Sequence, residues 1–216
     1  MGCSRGHYSH FVLWLNMRYL LSRFLHIFLR PARPCLPNGE LRLHLGCGKI
    51  DHPGFVNIDA LARRHVHYIQ EANRLGRFGD ASVDLVYACH VLEHFSHLQV
   101  PEVLREWYRV LKPGGRLCLS VPDFNQIIHI YQDTGRNMDN ILNALMGGQE
   151  YPYNYHQTAF NKEYLNGLLL AAGFRRVAEW TPDDGGIGHD MNDWSRRPLM
   201  ISGRAYSISL NLEAEK

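Results

Sequence analysis

The chain has 216 residues, 45% of them hydrophobic and 20% charged, with a formal net charge of +2. This composition supports a sizeable core and excludes an intrinsically disordered chain. A charge so near balance also argues against a nucleic-acid partner.

Residues 11–29 read FVLWLNMRYLLSRFLHIFL, apolar on most sides, with Arg18 and Arg23 inside and Arg5 and Arg30 flanking. Two internal arginines argue against a spanning helix. No small-residue cleavage site follows, so no signal peptide is expected. The start M-G-C-S-R-G matches a myristoylation signal only in part, because Gly6 stands where Ser or Thr is expected. Two readings remain open. In one, residues 11–30 form a peripheral helix in the membrane interface, its arginines on lipid phosphates. In the other, they form a helix packed on the domain or on a second subunit.

Pro31, Pro34 and Pro37, followed by Asn38-Gly39, mark a linker. Residues 1–39 are therefore read as an extension and 40–216 as the domain. The cysteines Cys3, Cys35, Cys47, Cys89 and Cys118 form no C-x-x-C pair. That pattern points to the reducing cytoplasm, at the inner face of the membrane if the extension binds lipid.

Within the domain, 41–45 alternates and runs into G-C-G, which reads as a strand ending in a tight turn. Strands are predicted at 55–59, at 65–70 and at 83–89, the last a nearly continuous apolar run. Residues 100–111 have helical spacing and stop at Pro113-Gly114-Gly115, before a strand at 116–121. Helices are predicted at 124–131, 138–146 and 162–172, and late strands at 175–180 and 205–214. Such alternation predicts a mostly parallel α/β sheet with helices on both faces.

Residues 89–97, C-H-V-L-E-H-F-S-H, space His90, His94 and His97 as one helical face would. Three imidazoles suit zinc, but a strand ending at Cys89 leaves His90 at its carboxyl end and His97 toward solvent. Sequence reasoning finds no Cys or carboxylate to complete a ligand set, so no metal is expected.

In a parallel sheet, ligands bind beyond the carboxyl ends of the strands. L-G-C-G (45–48) and Asp59 are placed there. The runs V-D-L-V-Y-A-C-H-V-L-E-H-F (83–95) and L-R-E-W-Y-R-V-L-K-P-G-G-R-L-C-L-S-V-P-D (104–123) follow in order. Together they resemble the class I S-adenosylmethionine-dependent methyltransferases over residues 41–214. PGFVNID (53–59), SVPDF (120–124), LMGGQEYPYNYH (145–156) and SISLNLEA (207–214) resemble the small methyltransferases of polysaccharide and lipopolysaccharide biosynthesis.

The resemblance implies a Rossmann-like fold, a mostly parallel seven-stranded sheet flanked by helices. About nine residues separate the first two strands, fewer than a parallel crossover usually needs, so the first crossover should be shortened. The resemblance further implies S-adenosylmethionine as cofactor. Gly46, Cys47 and Gly48 would lie on its methionine part and Asp59 on the ribose. Glu71 and Ala72 would lie near the adenine, and His90 beside the methionine–ribose end. The acceptor it implies is a saccharide or other small molecule. An oxygen acceptor needs a base, for which the candidates are His156, then Asp123, then His189, which stands with Asp190 and Asp193 in GHDMNDW. The competing role for Asp123 is a helix N-cap. A methyltransferase fold without catalysis, serving as a binding or scaffold protein at a membrane surface, is the alternative. A nicotinamide oxidoreductase would need G-x-G-x-x-G opening a helix, and the chain has G-C-G-K-I-D.

Overall fold

A computed structural model describes residues 31–34, 36, 38–182 and 191–216. The extension at 11–30, with its expected membrane or protein contact, and His189 lie outside the described residues. No described helix is long and apolar enough to cross a membrane.

Seven strands form the main sheet: β1 (Arg42–Leu45), β2 (Val56–Asp59), β3 (Tyr68–Ile69), β4 (Val83–Cys89), β5 (Leu111–Pro122), β6 (Arg175–Glu179) and β9 (Ser209–Glu215). Their order is β3-β2-β1-β4-β5-β9-β6. The first five pair in parallel, and β9 runs antiparallel between β5 and β6. The fold class predicted from sequence is therefore found. The order reverses between β1 and β4, which places a ligand crevice at the carboxyl ends of those strands.

The alternation of each strand sorts two faces. Leu43, Leu45, Val56, Ile58, Val86, Ala88, Leu117, Leu119, Leu210 and Leu212 face the main core. Helix α1 (Val100–Val110) buries Val103, Leu104, Trp107 and Val110 there. It is joined by helix α4 (Lys162–Ala171), which buries Leu165 and Leu169 and is capped by Asn161 accepting from the Tyr164 amide at 3.0 Å. The other face gathers Phe55, Leu85, Tyr87, Cys118 and Met191.

A third cluster lies past the ends of β5 and β9. Helix α2 (Phe124–Asp133) and the five-residue α3 (Leu142–Met146) pack Ile127, Ile130 and Ile141 against Tyr206 and Ile208. The hairpin β7 (Leu199–Ile201) and β8 (Arg204–Tyr206) completes it. Ser202 and Gly203 both have positive φ, 49° and 80°, as a two-residue type I′ turn requires.

Several boundaries depart from expectation. The run 205–214 is two strands, because Tyr206 turns away to donate to Asp133 at 2.5 Å while β9 returns to the sheet. Residues 138–146 hold a 3-10 turn at Met138–Asn140 and then α3, not one helix. The third strand is only Tyr68–Ile69: His67 accepts from the Asn57 amide at 2.9 Å and meets the Ala32 carbonyl at 3.0 Å, bonds a regular edge strand would not make. The Lys112–Gly115 stretch is extended, with an irregularity between the pairs Val83–Leu111 and Leu85–Arg116. The first crossover is shortened as expected, residues 46–55 holding turns and no helix.

Candidate active site

A cavity of about 350 Å³ opens at the carboxyl ends of β1, β2 and β4. Its walls include Gly46, Gly48, Asp59, Glu71, Ala72 and His90, six of the seven residues expected at a cofactor. The size falls within the usual range for a small-molecule site.

The glycine turn is shaped for close approach. Gly46 has φ 59° and Gly48 φ 56°, both left-handed. A Cβ on Gly46 would stand 2.5 Å from Val91 Cγ2, so only glycine fits. Cys47 is the expected residue that does not line the cavity. It is 2% exposed, its amide donates to the Ile58 carbonyl at 3.2 Å, and burial pushes its thiol pKa far up.

Asp59 is tied down from both sides. Oδ2 accepts from the Gly48 amide at 2.8 Å and Oδ1 from the Leu61 amide at 2.7 Å. Each oxygen keeps a second lone pair for a ligand. Trp107, in the core behind the cavity wall, donates through Nε1 to the Ala72 carbonyl at 2.8 Å, which fixes the 71–73 turn to α1. Glu71 pairs with Arg74 at 3.5 Å.

Two wall residues carry buried polar atoms with no hydrogen-bond partner, Arg63 Nε and Asn73 Oδ1. Buried polar groups are rarely left so. A ligand bearing hydroxyl, amino and carboxylate groups supplies their partners, and S-adenosylmethionine is such a ligand. Sequence reasoning missed both residues, since a lone Arg or Asn in a loop carries no motif. Tyr151, Pro152 and Tyr153 also line the cavity.

The histidine run is not a helical face. His90 ends β4 with φ 52°, a 3-10 turn covers Leu92–His94, and His97 is exposed. His90 Nε2 stands 2.8 Å from Ser209 Oγ, which donates to the Trp194 carbonyl at 2.7 Å. The serine proton is thus committed, so the imidazole donates through Nε2 and keeps a lone pair on Nδ1. That Nδ1 lies 3.4 Å from Glu93 Oε1. Burial holds the His90 pKa down at about 3 and pushes Glu93 up to about 8.

The base candidates divide. His156 does not line the cavity. It packs behind His94, ring centroids 5.0 Å apart, with Nε2 3.9 Å from Glu93 Oε1. Burial lowers its pKa to about 4. Asp123 takes the N-cap role weighed against catalysis: its Oδ1 accepts from the Asn125 amide at 2.9 Å at the start of α2, and it does not line the cavity. Asp193, read from the sequence as part of a polar cluster with His189, is 6% exposed and accepts from the Tyr87 hydroxyl at 2.7 Å and from Ser195 Oγ at 2.6 Å. It holds the 191–195 loop on the sheet.

The strand order, with an antiparallel strand in the penultimate position and a glycine-edged cavity at the switch point, is that of a Rossmann-like methyltransferase fold. Residues 53–119 match the family described as a methyltransferase domain. The chain is similar to a ubiquinone/menaquinone biosynthesis C-methyltransferase, UbiE, of Blochmanniella floridana, 26% identical over 149 residues, 66% of this chain and 55% of that protein. It spans about half the length of the curated relatives it matches. Among solved structures, a SAM-dependent methyltransferase from Archaeoglobus fulgidus aligns over 92% of this chain and 94% of its own, with TM-score 0.54 and 15% identity. The Burkholderia thailandensis 1,6-didemethyltoxoflavin-N1-methyltransferase, solved with S-adenosylhomocysteine, covers 100% of this chain and 92% of its own, with TM-score 0.50 and 16% identity. At such identities the structures establish the fold.

Proposed function

We propose that the chain transfers a methyl group from S-adenosylmethionine to a hydroxyl of a saccharide, free or lipid-linked. The observation that carries the reading is the single cavity in which the glycine turn, Asp59, Glu71, Ala72 and His90 meet. Gly46 and Gly48 leave room for the methionine chain, the Asp59 carboxylate accepts from the ribose hydroxyls, and the 71–73 turn flanks the adenine. The cofactor supplies the electrophilic methyl group, and the protein orients both partners for in-line displacement.

The acceptor enters past Tyr151 and Tyr153, whose rings suit the apolar face of a sugar. The acceptor proton leaves toward the cluster of His90, Glu93, His94 and His156, which meets the cavity through His90 and His94. This cluster takes the place of Asp123, whose carboxylate is engaged as a helix cap.

Calorimetry with S-adenosylhomocysteine, followed by transfer of labelled methyl to saccharide acceptors, tests the reading. Transfer to sugars supports it. Transfer only to quinol carbons, the chemistry in the name of the curated relatives, replaces the acceptor. Cofactor binding with no turnover on either favours the scaffold reading, and no binding overturns the proposal.

A further inference from the structure

We propose that Glu93, His94 and His156 form a binding site for one divalent metal ion of the zinc type. Their ligand atoms all lie within 4.8 Å of one another. A tetrahedral zinc with bonds near 2.0–2.1 Å sets its ligand atoms about 3.4 Å apart. Glu93 Oε1 and His156 Nε2 stand 3.9 Å apart, and side-chain rotation would bring the three ligand atoms, all within 4.8 Å, to that spacing.

The strongest observation is the state of Glu93. Its side chain is 1% exposed, and neither carboxylate oxygen has a hydrogen-bond partner. The groups around it are imidazoles that spend their N–H elsewhere. His156 Nδ1 meets the Ala144 carbonyl at 3.0 Å, and His94 Nδ1 the Tyr155 carbonyl at 3.1 Å. A carbonyl only accepts, so in each neutral ring Nδ1 carries the proton and Nε2 the lone pair. His90, bonded to Ser209 through Nε2, presents a lone pair as well. A buried carboxyl group ringed by nitrogen lone pairs is a set of donors that one metal ion can gather, releasing the carboxyl proton. Carbonyls holding the outer nitrogen of each histidine are the orientation that metal-binding imidazoles need.

The backbone builds this site from distant segments. The Glu93 carbonyl accepts from the amides of Gln157 at 2.8 Å and Thr158 at 3.2 Å, which locks the 156–158 segment to the turn after β4. Gly147, with φ 77°, lets the same segment pass. A Cβ there would stand 2.4 Å from the Asn154 carbonyl oxygen and 3.1 Å from His156 Cδ2. Sequence reasoning dismissed a metal for want of a carboxylate ligand. Glu93, within the histidine run itself, is such a carboxylate, and His156 joins it from outside the run.

Two imidazoles and one carboxylate leave positions open, and His94 and His90 carry the cluster to the cavity wall. An ion there would polarise an acceptor oxygen and ease loss of its proton. This deepens the reading of the acceptor side, but ion binding itself does not depend on methyl transfer.

The test is a titration of the chelator-treated 216-residue chain with Zn²⁺ by calorimetry, and with Co²⁺ by visible absorption. The wild type should bind one ion per chain with micromolar affinity or better, giving the intense spectrum of four-coordinate Co²⁺. Glu93→Gln and His156→Asn should each weaken binding more than about 100-fold, beyond the 10–100-fold that outer-shell changes cost. His129→Asn, at an exposed histidine outside the cluster, should change nothing. Thermal melting confirms that each variant is folded, and the wild-type Co²⁺ spectrum stands even if one variant is not. No binding by the wild type, or affinity unchanged in both cluster variants, overturns the site.

Discussion

The Gly48 amide donates to Asp59 Oδ2 over 2.8 Å, so one carboxylate holds the ends of β1 and β2 together. With Oδ1 taken by the Leu61 amide, Asp59 shapes the wall as well as offering lone pairs to a ligand. Asp59→Ala should lower S-adenosylhomocysteine affinity at least about 100-fold, since bonds to a charged group contribute about 1.5–3 kcal/mol each. Asp59→Asn keeps one carbonyl oxygen and should fall between, near 10-fold. Equal affinities across the three proteins would remove Asp59 from the binding site.

Gly46→Ala meets two obstacles at once. The left-handed φ costs a residue with a Cβ about 1–2 kcal/mol, and the methyl collides with Val91. The variant should melt at lower temperature and lose cofactor affinity. Adding Val91→Ala should recover part of the stability, because only the collision is relieved. Full recovery in the double variant would show that the backbone angle carries no strain.

Trp107 links the core to the cavity. Fully buried, it should cost about 3–5 kcal/mol when replaced by Ala. Trp107→Phe is the sharper probe: the ring volume largely remains, but the bond to the Ala72 carbonyl is gone. A loss of about 1 kcal/mol in stability is expected. Cofactor affinity should weaken through the freed 71–73 turn, and an unchanged binding isotherm would deny that coupling.

Much of this architecture can be read in the chain, and the reasons it stops are physical. Residues 83–89 and 100–110 declare themselves because their side chains meet the core at the period of a buried strand and an amphipathic helix. Gly46, Gly48 and Asp59 are legible because the turn between two parallel strands falls at the sheet's switch point. That Glu93 and His156 meet is not legible, since nothing in a spacing of that length says that two backbone amides will fold one segment onto the other. Asp123 and Asp193 are ambiguous in the sequence for a related reason. A carboxylate at a strand end serves a ligand or a nearby amide equally well, and here the Asn125 amide and the Tyr87 hydroxyl claim them.

His44 predicts an acid limb in the stability curve. It is 2% exposed, packed edge-on to Phe55 and Tyr87, and Nδ1 has no hydrogen-bond partner. Burial lowers its pKa from 6.5 to about 3. The folded chain keeps this imidazole neutral while the unfolded chain takes up a proton below pH 6.5. Its contribution is therefore intact above that pH and falls away as pH drops toward 3, at about 1.4 kcal/mol per pH unit. Denaturant midpoints measured from pH 7.5 to 5 should decline less steeply in His44→Leu than in the wild type. Parallel curves would mean that the ring is solvated.

The position of β9 bears on how the chain is made. Residues 209–215 sit between β5 and β6, with Arg116 opposite Glu215. A ribosome releases β1 through β6 well before it delivers the strand that separates β5 from β6. Until then β5 presents an unpaired edge, and the Leu210, Leu212 and Ala214 part of the core is missing. Folding of this domain must therefore wait on late synthesis. Nascent chains stalled before residue 209 should remain open to holdase chaperones and proteases, while those carrying the strand clear of the exit tunnel become protected together across the whole sheet.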